Sequence, residues 1–581
     1  MINNSSLSYN EWKEKLIDDN LIKSLSQKKI ISELFAKLLI ARGVNEENYD
    51  HYVKPTIDYD IPNPFELKDM EKGITRCVEA LKNNEKIGII ADYDVDGSTS
   101  VSILVKFLNN FTKNIIYRIP NRLSEGYGPN IRLMKEMLKE NVKLLFTLDC
   151  GTSSFNTIDH PDFKNIDVIV IDHHLSEFKL PKVHSIINPN RFDEQNNYKD
   201  FAAVGVTFLF IMALRKKIRE LELFSQIKEP NLLFLLDLVA LGTICDIVNI
   251  KNYNRVLVKK GLELIIKRQN KSIAKMIDNS KISFTPSAKD IGYFIGPQIN
   301  AASRIDDSSL ASKLLISNDE NDIDIISRKL FLINEKRKII EKKIYDEALL
   351  QINEQKDKNY FLIYKDNWHH GVLGIVASKI ASIYNKPTFI LSFNNEIGSG
   401  SGRSIDNIDI GTITHELKSN NLIEEGGGHL MAVGLKLKKN QLDNIKNYLE
   451  KKFSQFDQNL FKKIIFYDSE ISVDQINNQF LDMLELMEPF GKGNEEPIFM
   501  IKDIVIDNIK IIKDAHILIF FQNQLGINLK GIYFNSVNTE HHEYLSKYKV
   551  NKFVFLCSVK RDNFANSQAP QIQILDIKLI N

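Results

Sequence analysis

Short apolar, β-branched runs punctuate the first half of the chain at near-regular intervals. Lys86–Ala91 (KIGIIA), Ile115–Ile119, Val142–Leu148 and Ile166–Ile171 each read as a short buried strand. Helical stretches lie between them, one from Val101 to Leu108 and another over 131–140. Strands alternating with helices of this length predict a parallel sheet with right-handed crossovers. The longest apolar stretch, Leu232–Ile250, contains Asp237 and Asp246. An uncompensated carboxylate at a membrane's centre is costly, so this stretch predicts a buried helix and no membrane partner.

The pattern turns helical from Asn254. Ser327–Gln355 reads as one long helix, with Leu330, Ile333, Ile340, Ile344 and Leu350 set against Lys- and Glu-rich faces. Such a helix is most simply a spacer between lobes, its EKRKIIEKK run a solvated face. A second α/β unit runs from about Tyr360 to Phe453 and holds two glycine-rich segments, Gly398–Arg403 (GSGSGR) and Gly426–His429 (GGGH). Glu488–Pro497 is rich in Pro and Gly and marks a boundary. His516–Phe521, Ile527–Tyr533 and Lys552–Val559 then predict a small OB-type β-barrel. Its Phe520, Tyr533, Phe553 and Phe555 offer faces on which bases can stack, although core packing is their simpler role. Residues before about Asn63 mix helix and loop and end in a connector with Pro55, Pro62 and Pro64.

The 581 residues suffice for three or four domains, and 43% hydrophobic content supports several cores and excludes general disorder. A net charge of +1 provides no global basic field, so any nucleic-acid binding must come from a local groove. The four cysteines are scattered and form no Cys-x-x-Cys pair, which argues against a disulfide framework or a thiolate zinc site. The opening MINNSSLSYNEWKEK lacks the basic start and apolar core of a secretory leader, so a soluble cytoplasmic chain is expected.

Three clusters carry the chemistry: Asp92-Tyr-Asp94-Val-Asp96-Gly97, Asp149-Cys150-Gly151 and Asp172-His173-His174, each directly after an apolar run. In open α/β sheets, ligands bind outside the carboxyl ends of the strands. Acids and imidazoles converging there repel one another unless cations lie between them. The first cluster matches the opening of an EF-hand loop, but the twelfth position is Ile103 and a strand precedes it, so that reading fails. A capped turn accounts for one Asp, not three. Asp246 closes an apolar helical segment, where a buried carboxylate again calls for a cation. Carboxylates with one or two imidazoles and no thiolate suit Mg²⁺ or Mn²⁺, the imidazole favouring manganese. Two such ions can activate a shared water for displacement at phosphorus. Arg122, Arg304 and Arg403 lie in Gly- or Ser-bearing contexts suited to phosphate. His369-His370 has no acidic strand end beside it and is assigned a non-metal role.

The ordered segments DYDVDGSTS, NRLSEGYG, TLDCGTSS, IDHH, ALGTICDIV, GPQINAASRIDD, WHHGVLGIVASKI, SGRS, GGGHLMAVGL and EPFGKGNEEPIF span roughly Glu66–Phe499. Together they resemble the RecJ family of the DHH phosphoesterase superfamily. The resemblance implies a 5′-to-3′ exonuclease specific for single-stranded DNA, dependent on two Mn²⁺ or Mg²⁺ ions and serving recombination and repair. By motif position, Asp92, Asp94, Asp96, Asp149, His173 and Asp246 resemble the ligands of a two-metal site, with Asp149 as the bridge. Catalytic roles fall to Asp149, His173 and His174. His174 and Arg304 resemble phosphate or substrate contacts, as does His429, while Arg122, Ser401 and Arg403 resemble the groups that receive a 5′-phosphate. Cys150 stands where many members carry Asn.

The implied α/β architecture is a parallel-sheet DHH domain at 66–250, a helical region with the long helix at 251–357, a DHHA1 domain at 358–458 and an OB-fold domain at 459–581. Residues 1–65 form an N-terminal helical and loop segment. Implied partners are single-stranded DNA, a single-stranded-DNA-binding protein and a helicase, with the chain a monomer. Two alternatives are a small-substrate DHH phosphoesterase, which would lack the C-terminal barrel, and a DNA-binding scaffold that has lost catalysis, which would have decayed ligands.

Overall fold

The computed structural model describes residues 6–8, 10–224, 227–282, 285–522, 526, 528–547, 552–562 and 569–580. Ile527, at the start of one expected strand, and residues 1–5, on which part of the expectation about a leader rests, lie outside the described residues.

The first sheet is all parallel, in the order Ile115–Arg118, Ile87–Ala91, Leu144–Leu148, Asp167–Ile171, Ser185–Ile187. The central strands IGIIA and LLFTL are buried throughout, as expected of strands covered on both faces. The strand order reverses between Ile87–Ala91 and Leu144–Leu148, which makes a switch point with a crevice beyond Ala91 and Leu148.

The helix after the first strand spans Val95–Leu108, six residues earlier than its apolar pattern suggested. Asp94 caps it, its carboxylate accepting from the Gly97 amide at 3.1 Å. Asp-Gly-Ser-Thr-Ser reads locally as a turn, but burial makes the helix the better solution. Thr99 and Ser102 donate their hydroxyls to the Val95 and Ser98 carbonyls at 2.8 and 2.6 Å.

The long helix is Glu320–Asn353, 34 residues or about 51 Å. It begins earlier than expected because Asp319 caps it, accepting from Asp322 N. Leu330 and Ile333 pack in the core of the first lobe, and Ile344, Ala348 and Ile352 in that of the second. Arg337, inside the stretch expected to be solvated, is buried.

The second lobe has a mixed sheet ordered Glu425–His429, Ala432–Lys438, Ile397–Arg403, Thr388–Asn394, Phe361–Asp366, of which only the last pair is parallel. Beyond it, Phe499–Ile512, His516–Gln522, Asn528–Tyr533, Pro570–Ile580 and Lys552–Arg561 pair in order, and the first and last also pair, closing a barrel. Tyr533, Phe553 and Phe555 are buried in its core, so they offer no stacking face; Phe520 is half-buried.

The N-terminal segment folds onto this barrel. Glu11–Glu14 pairs in parallel with Ile464–Tyr467. Ile22, Leu25, Phe35, Leu38 and Leu39 share one core with Phe499, Ile517 and Phe555. The buried Asp576 accepts from Asn10 Nδ2 at 2.9 Å and Trp12 Nε1 at 3.0 Å, and Leu7 N donates to Ile577 O at 3.0 Å.

Candidate metal centre and phosphate pocket

The parallel ladder runs one residue past the strands. Asp92 N donates to Leu148 O, Asp149 N to Ile171 O and Asp172 N to Ile187 O, at 3.1, 2.9 and 3.2 Å. Three aspartates therefore stand side by side on neighbouring strand ends at the crevice. Asp149 has φ +59°, a left-handed conformation that Asp tolerates at some cost, and Gly151 follows at φ +115°. The bend turns the Asp149 carboxylate toward the helix bearing Asp94 and Asp96.

Asp96 is buried, its two oxygens accepting from Ala203 N at 2.6 Å and Val204 N at 2.8 Å, the first amides of the helix Ala203–Glu220. Each oxygen retains a lone pair. Asp246 caps the opposite kind of end, the C-terminus of Leu236–Cys245, where the helix dipole disfavours a carboxylate. His173 faces three of the acids, with Nε2 3.3 Å from Asp149 Oδ1, 3.6 Å from Asp246 Oδ2 and 3.8 Å from Asp96 Oδ2.

Three overlapping sets emerge among the described residues: Asp92, Asp94 and Asp149; Asp96, His173 and Asp246; and Asp149, His173 and His174. The donor atoms within each set lie within 4.8 Å of one another. Asp92 Oδ1, Asp149 Oδ1 and His173 Nε2 are buried without a hydrogen-bond partner. Burial and then like charge push the acids up: Asp246 and Asp94 on Asp96 to about 7, and Asp94 on Asp246 to about 7. Burial and then Asp96, Asp94, Asp92 and Asp246 hold Asp149 well above the carboxylate range. Burial and then Asp94 do the same for Asp92. Orphaned donors and mutually repelling acids fit divalent cations, and the oxygen-rich set with one imidazole suits hard ions.

Asp172 belongs to none of these sets. It accepts from Thr152 N, His173 N, His174 N and His174 Nδ1, at 3.0, 2.8, 3.2 and 2.8 Å. Its function is to orient the histidine loop. Burial works to lower His174, but Asp172 overrides it and raises the imidazole to about 9, so His174 is cationic at neutral pH. The Tyr127 hydroxyl lies 2.7 Å from Asp149 O and 3.1 Å from His174 Nδ1. Cys150 is buried, its thiol donating to Leu148 O at 3.3 Å.

The arginines converge beside Asp92. The Arg122 guanidinium lies 5.0 Å from the centroid of the Tyr93 ring. Arg304, in the last turn of Gly296–Ile305, donates to Gly371 O at 3.0 Å across the interface of the lobes. Burial, then Arg122, Arg337 and Arg403, lower Arg304 to about 9. A Cβ on Gly374 would lie 2.8 Å from Arg403 Nη2 and 3.3 Å from Ser401 Oγ, so Gly374 makes room for both. Arg337 is paired with Glu341, but Arg122, Arg304 and Arg403 have no ion pair among the described residues and so form a ready anion pocket.

Of the residues singled out from sequence, Asp92, Asp94, Asp96, Asp149, His173, His174 and Asp246 come together at the crevice, and Arg122, Arg304, Ser401 and Arg403 beside it. His429 is exposed and stands two strands from Arg403, with Ala432 between. Sequence reading missed Tyr127, Asp172's orienting role, Arg337 and Lys492; the last is exposed and acts electrostatically on Asp246 from the segment leading into the barrel. Only the tyrosine had a local signal, its place in NRLSEGYG. His369 Nδ1 accepts from Gly371 N, and His370 Nδ1 lies 3.1 Å from Ser399 Oγ. Neither joins a metal-holding set among the described residues.

Comparisons with known proteins agree with this architecture. Residues 86–243 match the DHH family N-terminal domain, 357–455 the DHHA1 domain and 467–576 the RecJ OB domain. The single-stranded-DNA-specific exonuclease RecJ of Haemophilus influenzae is 32% identical over 545 residues, 90% of this chain and 93% of that one. RecJ of Thermus thermophilus, solved with Mn²⁺, superposes with a TM-score of 0.80 at 22% identity, over 98% of this chain and 80% of that one. A solved exonuclease RecJ bound to manganese gives a TM-score of 0.58 at 27% identity, over 68% of this chain and 96% of that one. With such identity along nearly its whole length, an acid cluster at a sheet's switch point and the three domains in order, the chain belongs to the RecJ family.

Proposed function

We propose that this chain is a 5′-to-3′ exonuclease of single-stranded DNA that hydrolyses phosphodiester bonds with two Mn²⁺ or Mg²⁺ ions, in DNA recombination and repair. The observation that carries the reading is the juxtaposition of an acid cluster with unsatisfied ligand atoms and a group of arginines, Arg122, Arg304 and Arg403, that have no ion pair among the described residues. Asp92, Asp94, Asp96, Asp149, His173 and Asp246 would hold the cations, Asp149 bridging both. When bound, the cations lower the pKa of a shared water and offset charge on the oxygens of an in-line displacement at phosphorus.

Everything else is work for the chain. Arg122, Arg304, Ser401 and Arg403, with His429 at the margin, receive a 5′-terminal phosphate and fix which bond reaches the acids. Cationic His174, held by Asp172, donates to the scissile phosphate, and Tyr127 fixes the Asp149 backbone at the bend. The DHH, connecting-helix, DHHA1 and OB boundaries given from sequence belong to the same reading. So do a cytoplasmic, monomeric state and a single-stranded-DNA-binding protein and helicase as partners. Among the described residues no helix is long and apolar enough to cross a membrane.

Digestion of end-labelled single-stranded and duplex oligonucleotides with Mn²⁺ tests the proposal, with a cyclic dinucleotide and pyrophosphate alongside. Mononucleotides released from 5′ ends of single strands are expected. Equal attack on duplex, or hydrolysis of the small substrates alone, would overturn it.

A further inference from the structure

Directly after His174 the chain exposes large apolar groups that its core does not use. Leu175 is 80% exposed, Phe178 89% and Phe192 50%. Scattered apolar residues are ordinary on a protein surface, but Leu175 and Phe178 on the loop of a metal-site histidine, with Phe192 beside them on the segment after Ser185–Ile187, form a group.

The loop is built to hold them there. Asn190 Nδ2 donates to His173 O at 2.6 Å, and Asn188 Nδ2 to His174 O at 2.9 Å. Ser176 N donates to Asn190 O at 3.4 Å, and Phe192 N to Ser176 Oγ at 2.7 Å. The segments carrying the two phenylalanines are thus tied to each other and to the histidine loop. The two rings stand 5.9 Å apart, tilted by 57°, and Phe178 is left open to solvent. Lys179 adds a cation on the same loop, 5.8 Å above the Phe155 ring. Phe178 lies four residues beyond His174 and so no farther than about 14 Å from it.

We infer that Phe178 and Phe192 form a stacking platform for the nucleobase on the 3′ side of the scissile phosphate. This rests on the reading above, in which the 5′ end occupies the arginines. Arg122 and its neighbours gather on the Asp92–Tyr93 side of the acids, whereas the histidine loop borders Asp149 and Asp246. A strand with its 5′-phosphate at the arginines and its first linkage at the acids continues past His174, whose side chain is 49% exposed. Open aromatic faces beside a lysine suit a single strand, because every base offers a π-face and base stacking discriminates little among sequences.

The test is steady-state digestion of 5′-phosphorylated single strands by the full chain and by Phe178→Ala, Phe192→Ala and Phe178→Trp. Loss of one stack, about 1–3 kcal/mol, should raise KM by about 5- to 150-fold with kcat little changed, and Trp should restore it. An abasic site at the nucleotide 3′ of the scissile bond should raise the unmodified protein's KM similarly and leave Phe178→Ala no further loss. An abasic site at the 5′-terminal nucleotide should leave the two proteins as different as before. Normal digestion by both alanine variants, or additive losses with the 3′ abasic strand, would overturn the inference alone. Inactivity of the unmodified chain on every single strand would remove the underlying reading and this inference with it.

Discussion

Asp149 meets the most demands of any acid in the site while almost wholly buried. Its backbone is bent into the left-handed region, its carbonyl is held by Tyr127, and one carboxylate oxygen is buried without a hydrogen-bond partner. Nothing in the protein alone repays that arrangement, whereas a cation shared between neighbouring acids does. Asp149→Asn tolerates the same backbone angle and removes the charge, so it separates strain from chemistry. Turnover should fall by more than the roughly 10- to 100-fold cost of losing an outer partner, with the melting temperature in chelator little changed. Residual activity within about tenfold of the unmodified chain would contradict the bridging role. The acids were legible in the sequence because each directly follows an apolar run, so strand and ligand are encoded within a few residues. Arg337 was not: its place in a Lys- and Glu-rich run reads as solvent, whereas in the fold it is buried, paired with Glu341 and near enough to Arg304 to act on it.

Among the elements, the helix Val95–Leu108 and the strand before it are joined with no slack. A Cβ on Gly97 would lie 2.3 Å from the Asp92 carbonyl oxygen. Gly97→Ala must therefore push the helix N-terminus, with Asp94 and Asp96, away from Asp92. A loss of about 1–3 kcal/mol is expected in denaturant unfolding, with a weaker Mn²⁺ titration by calorimetry. Unchanged metal affinity would mean that the helix and strand ends are not placed by this contact. Alternation of strand and helix predicted the parallel sheet correctly, since each element has its own period. The start of this helix was hidden because its first turn is written in turn-forming residues. The barrel strands were likewise readable, and the burial of Tyr533, Phe553 and Phe555 follows the core role that was their simpler reading, while Phe520 stays half-buried.

For the molecule as a whole, the crowded acids link stability to pH and metal. Asp96 and Asp246 are raised to about 7 in the ion-free fold, against about 4 in an unfolded chain. Their protonation supports the ion-free fold below about pH 4, and that contribution is lost as pH rises through about 7. Cation binding needs the ionised forms, so it grows over the same interval. The melting-temperature gain from excess Mn²⁺ should be larger at about pH 8 than at about pH 5, and a chelator should abolish it. A gain independent of pH would show that these acids do not hold the ions.

The pairing of Glu11–Glu14 with Ile464–Tyr467, and of Leu7 with Ile577, could not be anticipated, because no local pattern announces a neighbour on the far side of the chain. It also sets a timetable for synthesis. The segment around Leu7 is made several hundred residues before the strand Pro570–Ile580 on which it is seated, and a ribosome adding about 5–20 residues per second needs on the order of a minute to deliver that strand. Until then Trp12, Phe35 and Leu39 have no lasting cover, and newborn chains are dependent on whatever shields greasy surfaces in the cell.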